Sequence, residues 1–143
     1  MRAAAVLLVL LALAGCGGTV RVDPPTPQGE AVAACDKLAP LLPRTLDGEE
    51  RGTSTPDSPY VAVWGGGIIA LRCGVPRPAR MAPTDELREI NGVGWFADPE
   101  KPTLFTAVTD TAYVEVTVGG EHVAAGVLAD LSSPIARIST QPR

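Results

Sequence analysis

The chain is poor in the residues from which most active sites and metal centres are assembled. It has one histidine, His122, and three cysteines, Cys16, Cys35 and Cys73, with only two each of tryptophan, tyrosine and phenylalanine. A metal site needs several clustered nitrogen, sulfur or oxygen ligands. A lone histidine far in sequence from the thiols supplies no such set, so neither metal nor cofactor is implied. There is also no basic cluster: the net charge is −4. The electrostatic footprint of a polyanion binder is therefore missing, and nucleic acid is not an expected partner. No apolar run reaches the ~20 residues of a membrane-spanning helix, and no internal repeat is visible.

The longest apolar run, Ala3 to Ala14, is informative because of what flanks it. One positive charge, Arg2, precedes it, and Leu13-Ala14-Gly15 lead directly into Cys16. A charged start, a short apolar stretch and small residues at its end form the pattern of a secretory leader. The last four residues resemble the bacterial lipobox, in which the cysteine thiol receives a diacylglycerol before cleavage on its N-terminal side. Residues 1–15 are thus expected to be a lipoprotein signal peptide, and Cys16 the lipidated first residue of the mature chain, carrying acyl chains such as palmitate. Two or more chains give stable anchoring where one is marginal. The expected location is the cell membrane, lipid-anchored, on its extracytoplasmic side, and the membrane is the one partner named by the residues. An ordinary leader with an incidental cysteine is the alternative.

Removal of Arg2 with the leader takes the net charge to about −5, and residues 16–143 suffice for one hydrophobic core. Once Cys16 is assigned to the lipid, Cys35 and Cys73 form an even pair in an oxidising compartment, where a disulfide is the expected state. Two buried free thiols or two metal ligands are the competing readings. Residues 16–29 are expected to be the lipidated cysteine and a proline-rich tether. Pro24, Pro25 and Pro27 favour extended polyproline conformation. At ~3 Å per residue such a tether would reach up to roughly 40 Å from the membrane.

A single globular domain is expected over residues 30–143. In the segment 30–42 the residues Val32, Cys35, Leu38, Ala39 and Leu42 fall at helical spacing, and Pro43 closes the helix. Asp47-Gly48 marks a short hairpin in an otherwise polar loop. Residues 60–64 and 67–73 read as strands joined by a bend at Gly65-Gly66-Gly67. In the second, Ile69, Leu71 and Cys73 share one face, and Ile68, Ala70 and Arg72 the other. Asn91-Gly92 is the strongest hairpin signal in the chain. A two-residue turn there sets Ile90 opposite Val93 and Arg88 opposite Trp95, and suggests a guanidinium over the Trp95 ring. Residues 103–108 and 112–118 read as the last strands, turning at Thr109-Asp110-Thr111. Val123, Val127 and Leu131 predict a second helix over 122–131, ended by Pro134.

The segments Trp64-Gly65, Ile69-Ala70-Leu71-Arg72-Cys73-Gly74-Val75-Pro76, Glu89-Ile90-Asn91-Gly92-Val93-Gly94-Trp95-Phe96 and Tyr113-Val114-Glu115-Val116 follow one another in that order. With the helical Cys35 and the lipobox, they resemble the actinobacterial secreted proteins grouped as domain-of-unknown-function family 3515. The resemblance runs from about Asp23 to Ile138. It implies an envelope protein of high-GC Gram-positive bacteria and carries no catalytic residue.

The expected fold is therefore α+β: a mostly antiparallel sheet, an N-terminal and a C-terminal helix packed on one face, and a helix–strand disulfide. Candidate chemistry is thin. Gly65-Gly66-Gly67 lacks the Lys-Ser/Thr and the helix of a phosphate loop. Glu49-Glu50 and Asp85-Glu86 lie in polar loops and read as solvated charge. His122 reads as a surface helix residue, and an enzyme would need it in a cleft beside a carboxylate or hydroxyl. Trp64, Arg72, Trp95 and Glu115 form the candidate binding face, with a plain cross-strand Arg72–Glu115 pair as the simpler reading. The expected function is a non-catalytic binding or scaffold module contacting another envelope protein or ligand. A carrier of a small apolar ligand is the alternative, and an envelope hydrolase the third.

Overall fold

The computed structural model describes residues 18–140. The expected leader, 1–15, and the lipid site Cys16 lie outside the described residues. Ten strands and two helices follow in chain order: Val20–Arg21 (β1), Glu30–Leu38 (α1), Thr45–Leu46 (β2), Glu49–Glu50 (β3), Ser54–Thr55 (β4) and Val61–Trp64 (β5). Then come Ile69–Val75 (β6), Arg88–Ile90 (β7), Val93–Ala97 (β8), Leu104–Val108 (β9), Tyr113–Val118 (β10) and Ala124–Ala136 (α2). Six strands make the main sheet in the order β5-β6-β10-β9-β8-β7, with every neighbour antiparallel. Among the described residues no helix is long and apolar enough to cross a membrane.

Local chemistry sets the turns. Asp47-Gly48 and Asn91-Gly92 each take left-handed backbone, with φ of 48° and 81° in both pairs. That is the backbone a two-residue hairpin needs to match the twist of its strands. The second turn gives the register expected from the sequence, Ile90 opposite Val93 and Arg88 opposite Trp95. The alternation read from β6 and β10 is also present: Ile69, Leu71, Cys73, Val114, Val116 and Val118 are buried, while Arg72, Glu115 and Thr117 are half-exposed.

The helices differ from their expected bounds for reasons centred on proline. The first ends as an α-helix at Leu38 and tightens to a 3₁₀ turn over Ala39–Leu41, because Pro40 has no N–H to continue the ladder. Its buried residues are Ala34, Cys35 and Leu38, whereas Val32 is exposed and stands outside the stripe expected to hold it. The second helix starts at Ala124 instead of 122 and runs through Pro134 to Ala136. Pro134 falls in its last turn, where only the end of the ladder is lost, and buried Ile135 and Ile138 hold the segment in place.

The largest correction concerns the proline-rich segment. Its described part is extended but does not stand free of the domain. The Val20 and Val22 N–H groups donate to the carbonyls of Thr53 and Thr55 at 3.1 and 3.2 Å, and β1 pairs in parallel with β4. Further on, Arg72 Nε donates to the Asp23 carbonyl at 3.0 Å, and Pro27 is buried. Prolines offer no N–H, so this strap is fastened by its valines, by a carbonyl and by close packing. The packing needs bare backbone beneath it: a Cβ on Gly74 would lie 2.6 Å from the Pro27 ring, and one on Gly67 would lie 2.9 Å from Val20 Cγ2. Among the described residues the folded unit thus extends back to Thr19, whose hydroxyl lies 3.1 Å from that of Thr53, ahead of the expected start at residue 30.

Both tryptophans are core residues. Trp64 Nε1–H donates to the Pro43 carbonyl at 3.0 Å. Trp95 Nε1–H donates to Ser132 Oγ at 2.9 Å, and the Ser132 hydroxyl donates in turn to the Leu128 carbonyl at 2.7 Å. Burying a large ring is favourable only when its polar edge finds such a partner. The Cys35–Cys73 disulfide is formed, with the two α-carbons 5.6 Å apart and 38 residues between them in sequence. Closing a loop of that length stabilises the fold by roughly 4 kcal/mol through the entropy of the unfolded chain.

Two stability measurements follow. Replacing both Cys35 and Cys73 by alanine should lower the free energy of urea unfolding by roughly 4 kcal/mol, and reducing agent should then have no further effect. Ser132→Ala should cost about 1–3 kcal/mol by orphaning the Trp95 N–H, and adding Trp95→Phe should cost less than it does in the Ser132 background.

Candidate functional site

The expected binding face divides between the two sides of the sheet. Arg72 and Glu115 are directly opposite each other on β6 and β10, with Nη1 and Oε1 3.0 Å apart and about a third and a fifth of each side chain exposed. A half-exposed cross-strand pair of this kind is worth only ~0.2–1 kcal/mol. Arg72 has a second task, since its Nε holds the strap. Trp64 and Trp95 point the other way: they pair with Ile69 and Ala107, on the Cys73 side, and are 0% and 2% exposed. The four residues therefore do not form one patch. Strand alternation separates Arg72 from Cys73, and burial of the rings with their own hydrogen-bond acceptors decides the rest. The expected stacking of Arg88 on Trp95 is likewise absent, because Arg88 is exposed while the ring is not. The guanidinium that does lie over an indole is that of Arg51, 5.2 Å from the Trp64 ring centre.

The chain does form an open cleft of about 490 Å³ at the end of the sheet where β6 finishes and β10 begins. Gly74, Arg77, Tyr113, Gln28 of the strap and the turn Thr109–Thr111 contribute to its walls. Three features fix them. Arg77 Nη2 donates to the Met81 carbonyl at 2.8 Å. The Thr111 hydroxyl donates to the Ile138 carbonyl at 2.9 Å. Asp110 accepts from the hydroxyls of Ser139 and Thr140 and from the Thr140 N–H. Those bonds, the Thr140 hydroxyl first, hold the Asp110 carboxyl down at about 2. It is an anion at neutral pH with no proton to give, and it fastens Ser139 and Thr140. The cleft offers a guanidinium, a phenol, an amide and hydroxyls, which can hold a polar ligand or partner segment by hydrogen bonds. Its walls hold no histidine and no thiol.

His122 does lie beside carboxylates, a contact not legible in the sequence. Its Nδ1 is 2.7 Å from Asp47 Oδ2, and its Nε2 is 3.1 Å from Glu49 Oε1. The β2–β3 hairpin presents both acids from one turn, and the Gly119-Gly120 turn brings the ring across to them. The hydrogen bond with Asp47, then that with Glu49, and the charges of both raise the imidazole pKa above its ordinary value. The shift favours the imidazolium, the form in which both ring N–H groups can donate to the two carboxylates. Both nitrogens already face a carboxylate oxygen. Among the described residues no group of three or more His, Cys, Asp or Glu is placed to hold a metal ion. The three side chains are an electrostatic clasp between the hairpin and the segment entering α2.

A family model described as Protein of unknown function (DUF3515) matches residues 2–143, and the chain belongs to that family. No curated protein and no solved structure matches it significantly.

Because the His122 pKa is raised in the folded state, the clasp contributes stability that is fully present below the unfolded imidazole value of about 6.5 and is lost as pH rises through the higher folded value. Titration of the ring by NMR should show the raised value in the parent and a lower one in Asp47→Asn. The stability gap between the two proteins should be widest between the carboxylate and imidazole ranges and should narrow toward alkaline pH.

Proposed function

We propose that this protein is a cell-envelope lipoprotein, anchored through Cys16 to the outer face of the cytoplasmic membrane and acting there as a non-catalytic binding or scaffold module. The observation that carries the reading is the Cys35–Cys73 bond. It fits an oxidising compartment, and it accounts for every cysteine but the one that directly follows Leu13-Ala14-Gly15. On this reading both helices, near the two ends of the domain, cover one face of the sheet. The disulfide from α1 and the Ser132–Trp95 bond from α2 support this, because Cys73, Val114, Ala107 and Trp95 lie in one row across four strands. The binding surface is placed at the Arg77–Tyr113 cleft. A carrier of an apolar ligand would need room between helices and sheet, and Trp64, Trp95, Leu131 and Ile135 occupy that layer with almost no exposure.

Growth with an alkyne-bearing fatty acid should label the protein, and Cys16→Ser should abolish the label and release the chain from membranes. An exported parent that stays unlabelled, with an unmodified sixteenth residue by mass spectrometry, would falsify the lipoprotein reading. For the binding role, a photoreactive residue at Tyr113 or Arg77 in intact cells should give a discrete envelope adduct that the same probe at exposed Ala125 does not. Equal capture at all three positions would remove the cleft from consideration.

A further inference from the structure

We infer that the lipidated protein rests directly on the bilayer through the end of its sheet that carries Gly65–Gly67 and the turn Gly119–Val123, with the Arg77–Tyr113 cleft turned away from the lipid. The inference depends on the lipidation of Cys16 proposed above and adds a distance and an orientation to it. Both come from the strap. Thr19 and Val20 are already fastened to Thr53, so only residues 17 and 18 separate the lipid-bearing cysteine from the folded body. At ~3.5 Å per residue, the α-carbon of Cys16 lies at most about 10 Å from that of Thr19. A spacer of residues 16–29 would have allowed about four times that reach.

The direction of the strap selects the end. Val20 packs on Gly67 and Pro27 on Gly74, so the strap runs alongside β6 and its N-terminal side leaves the body at the Gly67 end. Here Ile68 and Gly119 are joined by a 2.8 Å backbone hydrogen bond, which places the 119–123 turn beside the exit point. Val123 projects from that turn with 70% of its surface exposed, against 37% for Val32, the other exposed large hydrophobic among the described residues. An apolar side chain at this level gains by entering the headgroup boundary. Of the acids nearby, Asp47 and Glu49 are both in contact with the His122 ring, which reduces their repulsion from an anionic lipid surface, while Glu121 of the turn itself is exposed and opposes the approach. The cleft lies at the other end, where Val75 pairs with Tyr113, whereas Ile69 pairs with Val118 at the exit end. Along a six-residue strand that is about 20 Å of separation, at ~3.4 Å per residue.

The test uses the full lipidated protein purified from membranes and reconstituted into vesicles of phosphatidylethanolamine and phosphatidylglycerol containing a headgroup-quencher lipid. An environment-sensitive fluorescent amino acid is placed by codon suppression either at Val123 or at Asn91, an exposed turn residue at the cleft end of the sheet. Quenching at Val123 should exceed that at Asn91 severalfold. A flexible Gly/Ser insert of about 15 residues between Gly17 and Gly18, which adds about 20 Å of mean reach, should abolish the difference while the protein still sediments with the vesicles. Sedimentation with equal quenching at both positions, or stronger quenching at Asn91, overturns the orientation and leaves the lipid anchor standing. Failure to sediment, with no acyl mass on Cys16, overturns the anchor and the orientation together.

Discussion

The bond between Cys35 and Cys73 is the constraint on which the rest of this small fold depends. It ties the first helix to the second strand of the main sheet at a buried position, where the two cysteines are 1% and 2% exposed. From Cys73 a row of directly paired residues runs through Val114 and Ala107 to Trp95, and Trp95 ends on Ser132 of the second helix. One covalent bond and one buried hydrogen bond thus close the two ends of the same row. Net stability is typically only ~5–15 kcal/mol, so roughly 4 kcal/mol from loop closure is a large share of it. The same bond is what supports the proposed placement in an oxidising compartment.

What could be read from the sequence was local. The Asp47-Gly48 and Asn91-Gly92 hairpins depend on two adjacent residues tolerating left-handed backbone, and both form with φ of 48° and 81°. The valine alternation of β10 depends on a period of two and survives intact. The misreadings needed information from elsewhere in the chain. Trp64 and Trp95 were candidates for an exposed face because nothing nearby in sequence announces that the Pro43 carbonyl and the Ser132 hydroxyl will satisfy their N–H groups. His122 and its two carboxylates lie 75 and 73 residues apart in sequence, and no periodicity connects such positions. The cleft is assembled from strap, strand end and turn, so no single motif could signal it.

The strap shows how composition can mislead. A stretch with three prolines in four residues reads as a spacer because it can join neither a helix nor the interior of a sheet. It can still dock as an edge segment, provided its few N–H groups fall at the right places and its rings meet backbone without side chains. Val20 and Val22 supply the donors, and Gly67 and Gly74 supply the bare surface. Arg72 then serves two ends at once, holding the Asp23 carbonyl with Nε and Glu115 with Nη1. Its value lies less in the half-exposed ion pair than in joining the strap to the middle of the sheet.

A lipid anchor by itself fixes a protein to a plane but not its attitude in that plane, because a long flexible linker averages over all rotations. Attitude becomes defined only when the unattached chain is shorter than the body it carries. Thr19 is the first fastened residue among those described, and the sheet beyond it extends about 20 Å at ~3.4 Å per residue. Rotation about a link of about 10 Å would drive one or another flank of such a body into the bilayer. If Cys16 carries the proposed lipid, steric exclusion alone favours the exit end facing the bilayer, before any contribution from Val123 or from the His122 clasp. The two glycines at positions 67 and 74 have a role beyond turn geometry, since they admit the strap; under the proposed lipidation of Cys16 they would also set which end of the domain faces the membrane.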